Sequence, residues 1–304
     1  MKYLPNFLIV GGAKAGTTSL YHYLKQPPDV FMSPIKEPRF LTSSFVQFPL
    51  KGPGDANMEK TIIKDLNSYH NLFKDTGTAK AIGEASQDNL YFYNRAIPVI
   101  KQILGDVKIV IILRNPVDRA FSHYVMLVRD IRETLSFEDA LAQEEIRRGK
   151  NWSFGWSYKD VGFYADAVRA YLSSFSNVKI YLYEDLLTDP RNLVKDLFTF
   201  IGVGADFDVD LETKYNVSGS PRNPWIQSLL VKPGPIKSIV KQISRFTGIE
   251  NQIRAARERL VLINTVKQKM DIKTRLSLTN AYHDNILELQ KIIGRDLSKW
   301  IEIP

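Results

Sequence analysis

The chain has 304 residues, of which 44% are hydrophobic and none is cysteine. Disulfides, thiolate metal sites and cysteine nucleophiles are excluded, and the length provides a sizeable core in one large domain or two. A formal charge of +8 favours anionic ligands without naming one.

The N-terminus runs straight into a first strand, with no signal peptide and no long apolar run of membrane-spanning length. A soluble, cytoplasmic protein without a transmembrane segment is expected. Phe7-Leu-Ile-Val10 predicts a short buried strand, Gly11 and Gly12 end it, and Thr17 onward predicts a helix with Leu20, Tyr21 and Leu24 inward. A strand, a glycine-rich turn and a helix N-terminus bind phosphate, because unpaired N–H groups and the helix dipole converge there. The nucleotide-triphosphatase loop reads Gly, four residues, Gly, Lys, Ser/Thr. Gly11 and Gly16 keep its glycine spacing and Thr18 its hydroxyl, but Thr17 stands where the lysine belongs and Lys14 lies inside the loop. The alternative is a tight strand–helix turn with a solvated lysine.

The prolines of 26–40 predict a loop that carries Lys36-Glu37-Pro-Arg39-Phe40, and 49–57 predicts an exposed loop. A helix is expected over 59–74, with Ile62, Ile63, Leu66, Tyr69 and Phe73 as its apolar stripe, then a strand over 79–84 ending at Glu84. Residues 90–104 predict a helix, and Val107–Leu113, β-branched and almost continuously apolar, a central parallel strand. Arg114 ends that strand, Pro116 forces a turn, and a helix is expected from Ala120 with Ser122 in it. Helices over 136–148 and 162–175, a strand over 178–183 and a turn and helix over 184–201 complete the alternation. Strands alternating with helices predict an α/β protein with a central, mainly parallel sheet flanked by helices, P-loop-like and three-layered, with ligands at the strands' carboxyl ends. Gly11, Glu84, Arg114 and Glu184 all follow strands and are expected near one cleft.

Residues 208–225 read as irregular, and 226–304 as a helical, basic cover on the sheet within a single domain spanning 1–304. Between 228 and 275, eleven Lys/Arg face three acids. That stretch suits an anionic partner, an acidic saccharide or a membrane surface touched peripherally; a solvated helix face reads equally from the same charges. The aromatic–basic alternation of a single-stranded nucleic-acid binder is absent, so no nucleic-acid partner is expected.

Arg114 and Ser122 together make a clamp for a second phosphate. With the loop at 11–20 they resemble the sulfotransferases that use 3′-phosphoadenosine 5′-phosphosulfate (PAPS). The resemblance is closest to the glycosaminoglycan branch, because of Lys14-Ala-Gly-Thr-Thr18. It runs on through Lys36–Phe40, Gly83-Glu84, Arg114–Tyr124, Gly162–Tyr164, Ser218–Arg222 and Gly294–Trp300. It implies that Lys14, Ala15, Gly16, Thr17 and Thr18 hold the 5′-phosphosulfate, that Arg114 and Ser122 hold the 3′-phosphate, and that no metal is required. Lys14 then stabilises charge on the leaving oxygen, Glu37 is the base that activates a hydroxyl or amine acceptor, and Lys36 neutralises the sulfuryl group or holds Glu37. Tyr215, Ser218, Gly219, Ser220 and Arg222 resemble the loop that closes over the nucleotide, with Tyr215, or less strongly Tyr164, stacking on adenine. Glu84 and Arg39 are candidate acceptor contacts, with Glu84 also the alternative base; His22 and His123 read as packing or surface residues. The expected reaction yields 3′,5′-adenosine bisphosphate and a sulfated acceptor, a carbohydrate by the resemblance and a lipid or small alcohol as the alternative. A P-loop kinase or NTPase, and a non-catalytic nucleotide- or polyanion-binding module, are the readings from other classes.

Overall fold

In the computed structural model, residues 4–205, 207–211, 220–223, 227, 260, 264–266 and 268–302 are described. Five parallel strands form the central sheet: β1 (Phe7–Gly11), β2 (Val30–Met32), β3 (Ala81–Ala85), β4 (Lys108–Leu113) and β5 (Val178–Leu182), in the order β2-β3-β1-β4-β5. In register, Leu8 lies opposite Glu84 on one side and Ile109 on the other, and Ile111 lies opposite Ile180. The continuous apolar run of β4 has its reason in this topology, since the strand is covered on both faces.

Strand alternation divides the core into two layers. Phe7, Ile9, Val110 and Ile112 pack with α1 (Thr17–Leu24) and with residues of a helix over Pro190–Ile201. Leu8, Val10, Ile109, Ile111 and Leu113 face the opposite layer. There they meet helices over Tyr93–Leu104, Pro116–Arg129, Ala165–Ser174 and Ile272–Ile293. All nine of these strand residues are completely buried, a contribution of about 1.5–3 kcal/mol for each full-sized aliphatic side chain. Gly83 has no side chain because the Phe7 ring lies where its Cβ would stand.

In chain order the remaining helices fall between these. We label α2 (Phe40–Ser43), α3 (Asp55–Glu59), α4 (Leu66–Asn71), α5 (Asp88–Tyr91), α6 (Tyr93–Leu104), α7 (Pro116–Arg129), α8 (Phe137–Ala142), α9 (Glu144–Gly149), α10 (Ala165–Ser174), α11 (Tyr183–Thr188), α12 (Pro190–Ile201), α13 (Ile272–Ile293) and α14 (Ser298–Ile301). Helix α7 begins four residues earlier than expected. Pro116 occupies the first helical position, where its missing N–H costs nothing, and Asn115 Oδ1 accepts from the N–H groups of Val117 (2.9 Å) and Asp118 (3.3 Å).

Several expectations need correction. The single helix over 59–74 reduces to short α4, with residue 59 ending α3 and 60–65 not helical. Asp65 caps α4 by accepting from Ser68 N (2.9 Å), and Ile63 N donates to Pro38 O instead of to a helical carbonyl. Tyr69 and Phe73 reach the core from that stripe, whereas Leu66 is exposed. The loop at 49–57 is not simply exposed, because Asp55 is completely buried. The helix over 136–148 breaks between α8 and α9, and Gly162 lies in a short 3-10 turn before α10. Edge strand β2, set among prolines, was not expected, and β3 runs past Glu84 to Ala85. Most of the basic stretch 228–275 lies outside the described residues; its end, from Asp271, caps and opens α13. Helix α13 packs on α7 and α10, and Asn285 Oδ1 accepts from Tyr164 N (2.9 Å) and Ala165 N (3.3 Å) at the start of α10. Among the described residues, no helix is long and apolar enough to cross a membrane.

Candidate active site

The loop between β1 and α1 turns through two left-handed residues, Lys14 (φ 62°) and Gly16 (φ 101°). Glycine is required at 16: besides its φ, a Cβ there would lie 2.6 Å from Leu186 Cδ2. The first-turn N–H groups of α1 have no acceptor within the helix, and Thr17, Thr18 and Ser19 line a cavity of about 340 Å³ at the carboxyl edge of the sheet. Lys14, Gly16, Arg114 and Ser122 line the same cavity, together with Glu37 and Arg39 from the proline-rich loop. Ala15 is buried behind the loop and Lys36 reaches the site through Glu37.

The cavity is electropositive. Lys14, Arg39, Arg114 and Arg132 stand in its wall against one carboxylate, Glu37. Among the described residues neither Lys14 nor Arg114 has a carboxylate within ion-pair distance: Lys14 Nζ lies 3.4 Å from Met126 Sδ. Arg114 Nη1 donates to the Lys14 carbonyl (3.1 Å), and its guanidinium lies over the Tyr183 ring at 4.7 Å. Burial, then the charges of Arg129 and Arg114, lower the Lys14 ammonium to about 8. The ammonium is still mostly charged at neutral pH, and an anion bound beside it would raise that value again.

Glu37 is gripped by three donors. Lys36 Nζ lies 2.5 Å from Oε1, Arg39 Nη2 lies 2.6 Å from Oε2, and Gln87 Nε2 lies 3.3 Å from Oε2. Burial by itself would raise its pKa, but Lys36 and Arg39 overcome it and hold the carboxyl at about 2. It is an ionised carboxylate at neutral pH.

Other candidates lie elsewhere. Glu84 does not touch the cavity. It is completely buried in β3, beside Tyr69, Ser86 and Asn89, and burial, reinforced by Asp88, raises it to about 8. A neutral acid sealed inside the sheet is in no position to contact an acceptor or to take its proton. Glu184 is turned away as well, accepting from Trp300 Nε1 at 2.9 Å. Tyr164 is buried and its hydroxyl donates to the Arg114 carbonyl (3.2 Å), so it braces the clamp from behind and offers no face for adenine. Tyr215, Ser218 and Gly219 lie outside the described residues. Ser220 is in a two-residue strand that pairs with Val266, near α7, and Arg222, next to it, is exposed and is not in the cavity wall.

Sequence reasoning missed Tyr183, Gln87, Arg132 and Phe154, all in the wall. Tyr183 was findable in principle, because it follows β5 as Arg114 follows β4. The others come from irregular segments that no periodicity marks. His123, expected to be packing, is buried yet also lines the cavity; burial, then Arg119 and Lys14, keep it neutral. Among the described residues there is no group of three His, Asp or Glu able to hold a metal ion.

Comparison with known proteins identifies the family. The profile described as the sulfotransferase family matches residues 5–207. The crystal structure of a sulfotransferase from Alicyclobacillus acidocaldarius is 34% identical, with a TM-score of 0.78 and coverage of 99% of this chain and 100% of that one. Carbohydrate sulfotransferase 15 of Mus musculus is 25% identical over 296 residues, covering 81% of this chain and 51% of its own. The mouse heparan sulfate glucosamine 3-O-sulfotransferase 3B1 is 27% identical over 210 residues, covering 66% and 47%. The chain thus spans about half the length of these curated relatives.

Proposed function

The chain belongs to the sulfotransferase family, and on that premise we propose that it transfers a sulfuryl group from PAPS to a hydroxyl or amine acceptor. The observation that carries this reading is a single cavity. It joins an anion-binding loop at 14–18, a second cationic clamp at Arg114 and Ser122, and an ionised carboxylate, Glu37. The cations without carboxylate partners fit a ligand with two separate anionic ends. Residues 14–18 would hold the 5′-phosphosulfate, and Arg114 and Ser122 the 3′-phosphate. The reading needs no metal, since the developing charge has Lys14 to receive it. The names of the relatives favour a carbohydrate acceptor, and the cysteine-free chain suits the cytoplasm.

The donor brings an activated sulfur whose bond to the bridging phosphate oxygen breaks as the acceptor oxygen bonds to it. The protein's part is electrostatic and protolytic. Glu37 takes the proton of the attacking hydroxyl, work worth roughly 10²–10⁴-fold. Lys14, whose charge a bound anion favours further, stabilises the bridging oxygen as it leaves. Lys36 is shared: a sulfuryl group competing for its ammonium loosens its hold on Glu37, and the carboxylate becomes more basic when the base is needed. The products are the sulfated acceptor and 3′,5′-adenosine bisphosphate.

Calorimetric titration tests the donor site. The bisphosphate is expected to bind without magnesium and more tightly than Mg-ATP. In Arg114→Ala it should lose about 1.5–3 kcal/mol, the value of a charge-assisted hydrogen bond. Preference for Mg-ATP, or an Arg114→Ala variant with unaltered affinity, would overturn the assignment. Tight binding with no transfer to any acceptor would leave the non-catalytic binding module.

A further inference from the structure

A second cavity, of about 250 Å³, adjoins the first and shares Arg39, Met58, Ser153 and Phe154 with it. Its wall is of another kind. Phe45, Phe48, Phe92, Trp152, Phe154 and Ile62 stand in it, several as an interlocked aromatic set. Phe45 meets Phe92 edge-on at 5.7 Å, and Phe92 meets Phe154 at 5.9 Å.

The polar groups in this wall are mostly engaged. Asn151 Nδ2 donates to the carbonyls of Gln47 (3.0 Å) and Pro49 (2.9 Å), Arg148 is paired with Asp160 at 3.0 Å, and Thr42 is hydrogen-bonded to Asp88. Two buried polar atoms are not: Arg39 Nε and Asp88 Oδ1 have no hydrogen-bond partner. Arg39 belongs to both cavities, and its Nη2 is on Glu37.

A free or acidic saccharide would bring several hydroxyls and anions against aromatic rings whose polar neighbours, Arg39 Nε and Asp88 Oδ1 apart, are already satisfied, and unpaired polar groups are costly to bury. An apolar body gains there instead. Resting on the sulfuryl-transfer reading above, we infer that the acceptor is amphipathic: its reacting hydroxyl is carried by an aromatic or branched-alkyl body that fills the second cavity. The body lies among Phe45, Phe48, Phe92 and Trp152. The hydroxyl reaches Glu37 past Arg39 and Phe154, which line both cavities and stand against each other with the guanidinium 5.6 Å from the ring centre. The cavity is slightly smaller than the roughly 300–1,000 Å³ of drug-sized sites, which limits the body to about one fused ring pair.

The test compares acceptors on the full chain with PAPS: 2-naphthol as the apolar alcohol, methyl glucoside and a heparosan oligosaccharide as the polar ones. The naphthol is expected to be sulfated with kcat/KM about tenfold or more above either sugar. Two variants fill the second cavity from its outer wall, Val46→Trp and Ile62→Trp; the pair guards against one failing to fold. Each should raise KM for the naphthol about tenfold or more while 3′,5′-adenosine bisphosphate binds as before. Transfer to a sugar but not to naphthol, or folded filling variants with unchanged KM, would overturn the inference and leave the sulfotransferase reading standing. If no acceptor is turned over, naphthol is titrated calorimetrically into the bisphosphate-saturated protein. Saturable binding lost in Val46→Trp supports the apolar site even though the transfer reading has failed, and no saturable binding overturns it.

Discussion

Lys14, Glu37 and Arg39 hold left-handed backbone conformations, with φ of 62°, 61° and 53°, and all three line the first cavity. Such conformations cost about 1–3 kcal/mol each for a residue with a side chain, and they persist where the surroundings over-determine them. Here they turn a lysine, a carboxylate and a guanidinium toward one point. Glu37→Gln keeps the shape and removes the proton acceptor. Its kcat should fall roughly 10²–10⁴-fold while calorimetric affinity for the bisphosphate is retained. Lys14 sets the alkaline limit. Its pKa of about 8 in the free protein means that the ammonium loses its proton above that pH, whereas a bound phosphate favours the charged form. Affinity for the bisphosphate should therefore rise between about pH 5 and 7, as its two phosphate monoesters lose their second protons at about pH 6, and decline by about tenfold per unit above about pH 8, read by titration across pH. Glu37, held at about 2, adds no break in that window.

At the scale of elements, two irregular segments are tied beside the cavity by one buried carboxylate. Asp55, at the start of α3, accepts from Gly52 N (3.0 Å), Ser153 N (2.8 Å), Ser153 Oγ (2.8 Å) and Trp156 Nε1 (3.1 Å) and pairs with Arg132 at 2.5 Å. Ser153 and Arg132 are themselves in the wall of the site. Asp55→Ala leaves these donors unmatched and should cost about 3–5 kcal/mol in urea unfolding. It should also raise KM for the acceptor more than for the donor, because the donor loop on β1 and α1 is separate. The sequence around Asp55 reads as an exposed loop, since Gly, Pro, Asp and Asn are turn formers. Its burial follows from partners some hundred residues away, which no local pattern encodes. By contrast, β4 was largely legible, because continuous β-branched residues mark a strand covered on both faces, and Pro116 marks where it ends, although the helix begins at that proline and not at Ala120.

For the whole molecule, the C-terminal segment closes the carboxyl end of the sheet. Trp300 is buried against the core, its Nε1 donates to Glu184 (2.9 Å) and its carbonyl accepts from Asn115 Nδ2 (3.2 Å). Arg295 pairs with Asp185 at 2.8 Å. These contacts join the chain's end to the turns after β4 and β5, the strand ends that present Arg114 and Tyr183. Trp300→Ala should cost about 3–5 kcal/mol, seen as a lower thermal midpoint, whereas Trp300→Phe, which keeps most of the packing and loses the hydrogen bond, should cost about 1 kcal/mol.

The α/β alternation, the glycine-rich turn at 11–18, the strand-end Arg114 and the pairing of Lys36 with Glu37 all follow from the sequence by itself. Each rests on residues adjacent in the chain or on the period of a strand or helix. The tertiary structure alone decided that Glu84 is sealed in the sheet while Glu37 is in the cavity. Both are acids near strand ends, and burial depends on which strand becomes a neighbour. It alone placed the aromatic residues of 45–48, 92 and 152–154 around one chamber adjoining the cavity of Glu37. Their convergence comes from loops whose paths are set by packing on the sheet, and such long-range contacts have no periodic signal in sequence.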